Sequence, residues 1–392
     1  MASSARSAHA DSHDTGIRVA LLRRGDPDLP AARWDQLAQG SALPNPFFER
    51  WALLPALGAF APGDSVRIAC IYEADRLIGL LPVVHSGDYY GYPVPHYRTW
   101  LHANAFCGAP LVLQGREDAF WQALLDWADA ASASALFLHL AGLPEDGPLY
   151  AALARAADRH NRPSAVVMRE ERALLSSDLA PAAYFDQSMS GKKRKELRRQ
   201  ARRLGEEGTL HFSRETDERS ISQWSDQFLA LEKKGWKGDE GSALASAPET
   251  ERFFREAMKN AAGLGRLERL TLTLDGAPIA MLANLVAAPG VFSFKTAYDE
   301  AYARFSPGVL LQRENLDLLE RSDIEWCDSC ASEGHPMIER IWREKRTILR
   351  VSIGLGGMLR RQAARAFLAA ETRQFPRKLE TGSRSAALER TS

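Results

Sequence analysis

Val291-Phe-Ser-Phe-Lys-Thr-Ala-Tyr-Asp-Glu-Ala-Tyr-Ala-Arg-Phe-Ser-Pro-Gly-Val-Leu-Leu311 is the stretch on which the reading of this chain turns. Its apolar opening predicts a strand, its polar middle a loop, and its end the start of a helix. Ser306 suits an N-cap and Pro307 the first helical position. Gly308, with no Cβ, lets a ligand approach the backbone closely. The first acidic residue after Pro307 is Glu314. The free N–H groups and positive dipole end are therefore open to an anion along Arg304, Ser306, Pro307, Gly308, Val309 and Leu310.

Working outward, the strand is preceded by a hairpin, 270–274 and 279–286, around Gly276-Ala-Pro-Ile-Ala-Met-Leu282. It is followed by a helix over 307–319 and a strand over 324–330. An earlier stretch repeats the plan: a hairpin of 67–72 and 78–84, a strand over 109–113, a helix over 117–130 and a strand over 135–140. Two copies of hairpin, strand, helix, strand predict two α/β domains, each a mixed sheet flanked by helices, over 17–185 and 186–378. The copies differ where a phosphate would sit. The first helix opens with Glu117 and Asp118, which repel an anion, so the second copy is expected to hold any phosphate ligand and the first to have lost that ability.

The flanks 1–16 and 379–392 are small, polar and charged, and are expected to be disordered. The 392 residues are 45% hydrophobic and 26% charged, with a formal net charge of zero. That balance speaks against bulk attraction to DNA or anionic lipid. No apolar h-region marks the N-terminus and no run reaches the length of a membrane span, so a cytoplasmic location is expected. The basic stretch 190–204 carries eight Lys and Arg against one Glu over 192–203. Leu197, Ala201 and Leu204 form its one apolar stripe. It reads either as a solvated docked helix or as a face for a phosphate-bearing partner. A second basic helix is expected over 358–368. Cys327-Asp-Ser-Cys330 fits C-x-x-C, but on a strand the two sulfurs point to opposite faces and no further ligands complete a zinc site. Reduced structural cysteines and no metal are expected.

Four ordered segments carry a resemblance. They are the basic stretch, Leu229-Ala-Leu-Glu-Lys-Lys-Gly-Trp-Lys-Gly-Asp-Glu-Gly-Ser-Ala-Leu244, the run from Phe294 to Gly308, and Trp326-Cys-Asp-Ser-Cys-Ala with His335-Pro-Met-Ile-Glu-Arg-Ile-Trp342. Together they resemble bacterial acyltransferases of the GNAT superfamily, in particular the CelD/BcsL-like group named for cellulose biosynthesis. The likeness spans roughly 45–350 and is strongest over 190–345. It implies two GNAT-like domains in the tandem arrangement of the Fem transferases, and an acetyl-CoA or other acyl-CoA donor. An amine attacks the thioester directly, which needs a base near the amine and an acid near the sulfur.

Asp299 and Glu232 are the candidate base or amine-orienting carboxylates, and Tyr298 and Tyr302 the candidate acids. Lys295 lies on a strand expected to be central, where a lysine needs a partner; Asp328 on the next strand is the expected one, and the two read either as a structural ion pair or as a charged floor of the active site, Lys295 in catalysis and Asp328 in substrate binding. Trp236 and Lys237 are candidate substrate contacts. The aromatic segment Tyr89–Asn104 reads as a packed loop or as a surface that stacks on sugar rings. The expected acceptor is a small-molecule or saccharide amine, such as an amino sugar or a polysaccharide precursor, entering between the domains. Two rival readings remain: an aminoacyl-tRNA-dependent transferase of the Fem type, with 192–203 binding tRNA, and a non-catalytic GNAT-like scaffold.

Overall fold

A computed structural model describes residues 16–61, 63, 65–131 and 134–380, with the side chains of 236 and 374–380 left out. The tails expected over 1–16 and 379–392 lie almost wholly outside the described residues. Two compact units are present. Of the described residues, one takes in 16–57, 61–169 and 348–380; the other takes in Gly58–Phe60 and Glu170–Thr347.

In the first unit the strands are β1 (Ile17–Leu22), β2 (Val66–Glu73), β3 (Arg76–Ser86), β4 (His96–Thr99), β5 (Leu111–Val112) and β6 (Phe137–Pro144). The strand β7 (Ser164–Leu175) carries the chain into the second unit, which holds β8 (Leu210–Glu215), β9 (Leu267–Leu274), β10 (Ala277–Ala287), β11 (Gly290–Tyr298) and β12 (Trp326–Asp328). The last strand, β13 (Glu344–Gly354), brings it back. The first unit's sheet runs β1-β2-β3-β4-β6-β13, with β5 on β3. The second unit's sheet runs β7-β12-β11-β10-β9-β8.

The two orders are the same plan. Each has an edge strand, a hairpin, a fourth strand antiparallel to the hairpin, and a fifth parallel to the fourth: β4 with β6, β11 with β12. The sixth place is filled out of turn. The first unit takes β13 from the end of the chain, antiparallel to β6, and the second takes β7, antiparallel to β12. The two units thus divide within β7 and β13.

The hairpins form where expected; Asp275 and Gly276, both at positive φ, make the tight turn of β9–β10. The counterpart of β11 in the first unit is β4, not the expected strand at 109–113, of which Leu111–Val112 form a short strand on β3 and Leu113 a lone bridge to Ser41. His96–Thr99 mixes polar and aromatic residues behind a Pro-rich segment, so no alternation announces it.

The helices of the first unit are α1 (Ala31–Gln39), α2 (Arg50–Phe60), whose last turn belongs to the second unit, α3 (Glu117–Ala131) and α4 (Pro148–Arg159). The second unit adds α5 (Pro181–Ser188), α6 (Gly191–Glu206), α7 (Ile221–Lys234), α8 (Trp236–Asp239), α9 (Pro248–Gly263) and α10 (Pro307–Glu314). Helix α11 (Met358–Glu380) follows β13. In α9, Phe253, Phe254, Ala257, Met258, Ala261 and Ala262 are buried at helical spacing. Leu197 and Leu204 anchor α6, whose basic side chains face water. The helix expected over 307–319 tightens to a 3-10 turn at Asn315–Glu320, where the buried Asn315 amide bonds Asn284 of β10. No helix among the described residues is long and apolar enough to cross a membrane.

Candidate active site

The parallel pairing of β11 with β12 lasts three residues, Gly290–Phe292 against Trp326–Asp328. After Asp328 the chain turns away: Cys330 has φ 53°, and its N–H donates to Asp328 Oδ1 at 2.9 Å. Strand β11 continues to Tyr298 against β10. Between Ser293 and Lys295 two residues of β11 oppose one of β10, so Phe294 is the extra residue of a β-bulge. Bulges re-aim side chains and recur beside active sites.

Lys295 follows the bulge and is buried. Burial, with the Lys237 ammonium nearby, lowers its pKa to about 8; Glu232 and Cys330 oppose the shift. Asp328, the partner expected for Lys295, is taken up by arginines. The register sets Asp328 beside Phe292, three residues earlier, and Asp328 is engaged by Arg172 of β7 at 2.8 Å and Arg346 of β13 at 3.8 Å.

Glu232, at the end of α7, is buried. Its Oε1 accepts from Lys237 Nζ at 3.1 Å and its Oε2 from the Leu244 N–H at 2.8 Å. Both oxygens therefore tie down the Gly-Trp-Lys-Gly loop that sequence placed at the substrate. Trp236 opens α8 by its backbone, but its side chain lies outside the described residues.

Asp299 caps the 3-10 turn Glu300–Phe305 through the Ala301 N–H and pairs with Lys234 Nζ at 2.6 Å. Burial pushes its pKa up, but the Lys234 ammonium and the Ala301 N–H outweigh it and leave the carboxyl below its usual range. A carboxylate so held is a weak base. Tyr298 ends β11, and Tyr302 lies in the turn.

Ser306 does not cap α10 with its side chain. It closes the preceding 3-10 turn by donating its N–H to Ala303 O, and this holds it at φ 55° and ψ 51°. N-capping needs an extended residue. The first turn of α10 carries no acidic side chain. Pro307, Gly308, Val309 and Leu310 are all buried. A Cβ on Gly308 would stand 2.6 Å from Met337 Sδ and 3.5 Å from Tyr298 Cδ1, so the close approach this glycine permits is made by Met337. Gly308→Asp is accordingly expected to lower stability by about 1–3 kcal/mol through overpacking, read by urea unfolding, and Met337→Ala to restore part of it. Arg304 is largely exposed, paired with Glu207 at 2.9 Å and seated over the Phe305 ring.

His335, which opens the last segment of the resemblance and was assigned no role there, comes from the loop after β12. Its Nδ1 is buried and has no hydrogen-bond partner among the described residues. Burial and Lys237 lower its pKa, with Glu339 and the residue's own backbone opposing. A histidine two residues from a methionine that touches a helix start carries no pattern in the sequence.

In the first unit, the start of α3 is occupied as expected: Glu117 Oε1 accepts from the Gly115 N–H at 3.0 Å. Tyr89 is buried and donates to Glu371 Oε1 at 2.7 Å, while Tyr90 and Tyr92 are exposed. A groove of about 620 Å³ on the second unit, lined by Ile221, Ser225, Glu251 and Arg255 among others, includes none of the groups around Lys295; it is a furrow between α7 and the charged side chains of α9. The four cysteines are free and buried, and among the described residues no three metal-ligating side chains come together.

Strand β11, the bulge and the helix start at Pro307 all fall inside one sequence match. Residues 191–335 match an acetyltransferase (GNAT) domain. No curated protein matches the chain. Among solved structures, FemX aligns over 83% of this chain and 96% of its own, with 9% identity and a TM-score of 0.55. A protein of unknown function from Bacteroides thetaiotaomicron VPI-5482 aligns over 83% and 97%, with 14% identity and a TM-score of 0.54. A tandem GNAT protein from the clavulanic acid biosynthesis pathway aligns over 86% and 98%, with 14% identity and a TM-score of 0.44. The first two likenesses establish the fold, a mixed α/β fold with flanking helices. The residues matched to the GNAT domain, 191–335, all lie in the second unit.

Proposed function

We propose that the second unit transfers an acetyl or other acyl group from acyl-CoA to an amine by direct attack in a ternary complex. One observation carries this reading: β11 outruns its short parallel pairing with β12 and leads into a helix with no acidic residue in its first turn. At Thr296–Tyr298 the only strand paired with β11 among the described residues is β10. An extended chain bearing amides, such as the pantetheine arm of CoA, would pair there as a strand does. Its phosphates would then meet the N-terminus of α10, with Arg304 alongside.

In this reading Tyr298 or Tyr302 protonates the leaving thiolate, Lys295 is a charged floor, and Trp236 and Lys237 contact the acceptor. The acceptor is a small-molecule or saccharide amine, consistent with a CelD/BcsL-like enzyme of the bacterial cytoplasm. The first unit, with Glu117 on the start of α3, is a copy that no longer binds CoA.

The test is the melting temperature of the full chain with acetyl-CoA, longer acyl-CoAs and free CoA. A saturating rise is expected, and Arg304→Glu, at an exposed position, should weaken it at least tenfold while leaving the ligand-free melt unchanged. No rise with any CoA up to about a millimolar would sink the acyl-CoA reading and leave a scaffold role standing.

A second reading is favoured by α6, where seven Lys and Arg side chains between Lys192 and Arg203 are exposed. Such a face suits the backbone of an aminoacyl-tRNA donor. Binding of tRNA that falls steeply with salt, in a protein indifferent to CoA, would select it.

A further inference from the structure

We propose that His335 is the general base that takes the proton from the acceptor amine, a role that rests on the acyltransferase reading above and assigns it to a residue outside the carboxylates first considered. A base must hold an unengaged lone pair at working pH. Asp299 spends its carboxylate on Lys234 and the Ala301 N–H, and Glu232 spends both oxygens on Lys237 and the Leu244 N–H. Lys295 is buried among charged neighbours. His335 keeps a buried Nδ1 with no partner among the described residues.

Its placement is fixed by the segment it begins. The His335 N–H donates to Ser332 O, and its C=O accepts from the Glu339 N–H. Ile338, Ile341 and Trp342, just beyond, are buried in the core of the second unit. Met337 lies over Gly308 at the start of α10 and near Tyr298. Two residues of chain span at most about 7 Å, so the imidazole is held close to the end of β11 where the thioester would sit.

The charges facing the ring are Lys237 and Glu339. Lys237 is neutralised by Glu232, and Glu339 is held by Lys345 and the Gly334 N–H. Burial and Lys237 keep the imidazole neutral at pH 7, so Nδ1 accepts if Nε2 bears the proton. The amine proton passes to Nδ1 as nitrogen bonds to the acyl carbon. The thioester C–S bond breaks, and the thiolate leaves to be protonated.

Two measurements on the full chain test this. The first is an NMR titration of the His335 imidazole with and without acetyl-CoA at concentrations that saturate the thermal shift. Ionisation below the ordinary histidine range and a clear change on adding acetyl-CoA are expected. An ordinary titration, or a ring indifferent to bound acetyl-CoA, overturns the proposal. The second is thiol release from acetyl-CoA with primary amines, glucosamine first. His335→Asn and His335→Gln should each lower turnover by about 10²–10⁴-fold and abolish the acidic limb of the pH profile, with the acetyl-CoA-induced thermal shift retained. Retained turnover and an unchanged pH profile would remove His335 from the chemistry and leave the acyl-CoA reading intact. Absence of any CoA-induced shift in the wild type overturns that reading, and this assignment with it.

Discussion

Asp328→Ala should lower the unfolding free energy of the second unit by about 3–5 kcal/mol, the cost of leaving buried charge unpaired. Asp328 has no exposed surface, and its two oxygens face Arg172 Nε and Nη2, each at 2.8 Å, with Arg346 at 3.8 Å. Both guanidinium groups are themselves almost wholly buried, and that of Arg346 lies 4.0 Å over the Trp326 ring. Removing the carboxylate strands both charges in a medium that cannot solvate them. It also frees the Cys330 N–H and loosens the turn that launches the loop carrying His335. Urea unfolding monitored by tryptophan fluorescence reads the loss as a lower midpoint at constant slope. Asp328→Asn keeps the shape but not the charge and should fall between wild type and alanine. A loss under about 1 kcal/mol for the alanine variant would mean that the guanidinium groups find water, and the ion cluster would cease to be an anchor of this sheet.

Lys295→Met should do the opposite at pH 7, raising stability while abolishing acyl transfer. The folded protein carries this lysine with its pKa lowered from 10.5 to about 8, chiefly by burial and then by Lys237. Between those values the unfolded chain binds a proton that the folded chain has released, so this group makes stability rise with pH across that window. Below pH 8 both states are protonated and the folded state bears the whole cost, at most about 3 kcal/mol from the size of the shift. Methionine fills similar space without the charge. The variant should therefore gain about 1–3 kcal/mol at pH 7, and the gain should vanish as pH approaches the unfolded value. Unfolding midpoints at pH 7 and pH 10 measure it. A methionine variant destabilised at pH 7 would show that the neighbours of Lys295 hold the charged form, and its place in the site would have to be structural. A residue that costs stability where it stands is the pattern expected of a functional site.

Much of this was open to a reader of the residues alone. The hairpins at 67–84 and 270–286 announce themselves by apolar runs broken by turn residues. The start of α10 is written in Ser306-Pro307 and the absence of acid before Glu314, and α6 in its charge and its stripe of Leu197 and Leu204. The duplication of the plan was visible in part, because both copies carry a hairpin and later a helix and a strand in the same order, although the strand between them in the first copy was misplaced.

Other features had no local signal. Nothing in His96–Thr99 marks it as the partner of β6, and nothing in Ser164–Leu175 or Glu344–Gly354 says that each completes the sheet of a unit to which part of it does not belong. The sequence reading paired Asp328 with Lys295 because they sit on neighbouring strands; the register and two arginines from β7 and β13 decided otherwise. Ser306 looked like an N-cap until the turn before it held its backbone in the left-handed region. Caps, turns and periodicity arise from contacts within a few residues and leave their mark in sequence. Strand exchange, ion partners and the setting of His335 arise from contacts between residues far apart in the chain, such as Arg172 with Asp328, 156 positions on, and only the assembled sheet brings those together.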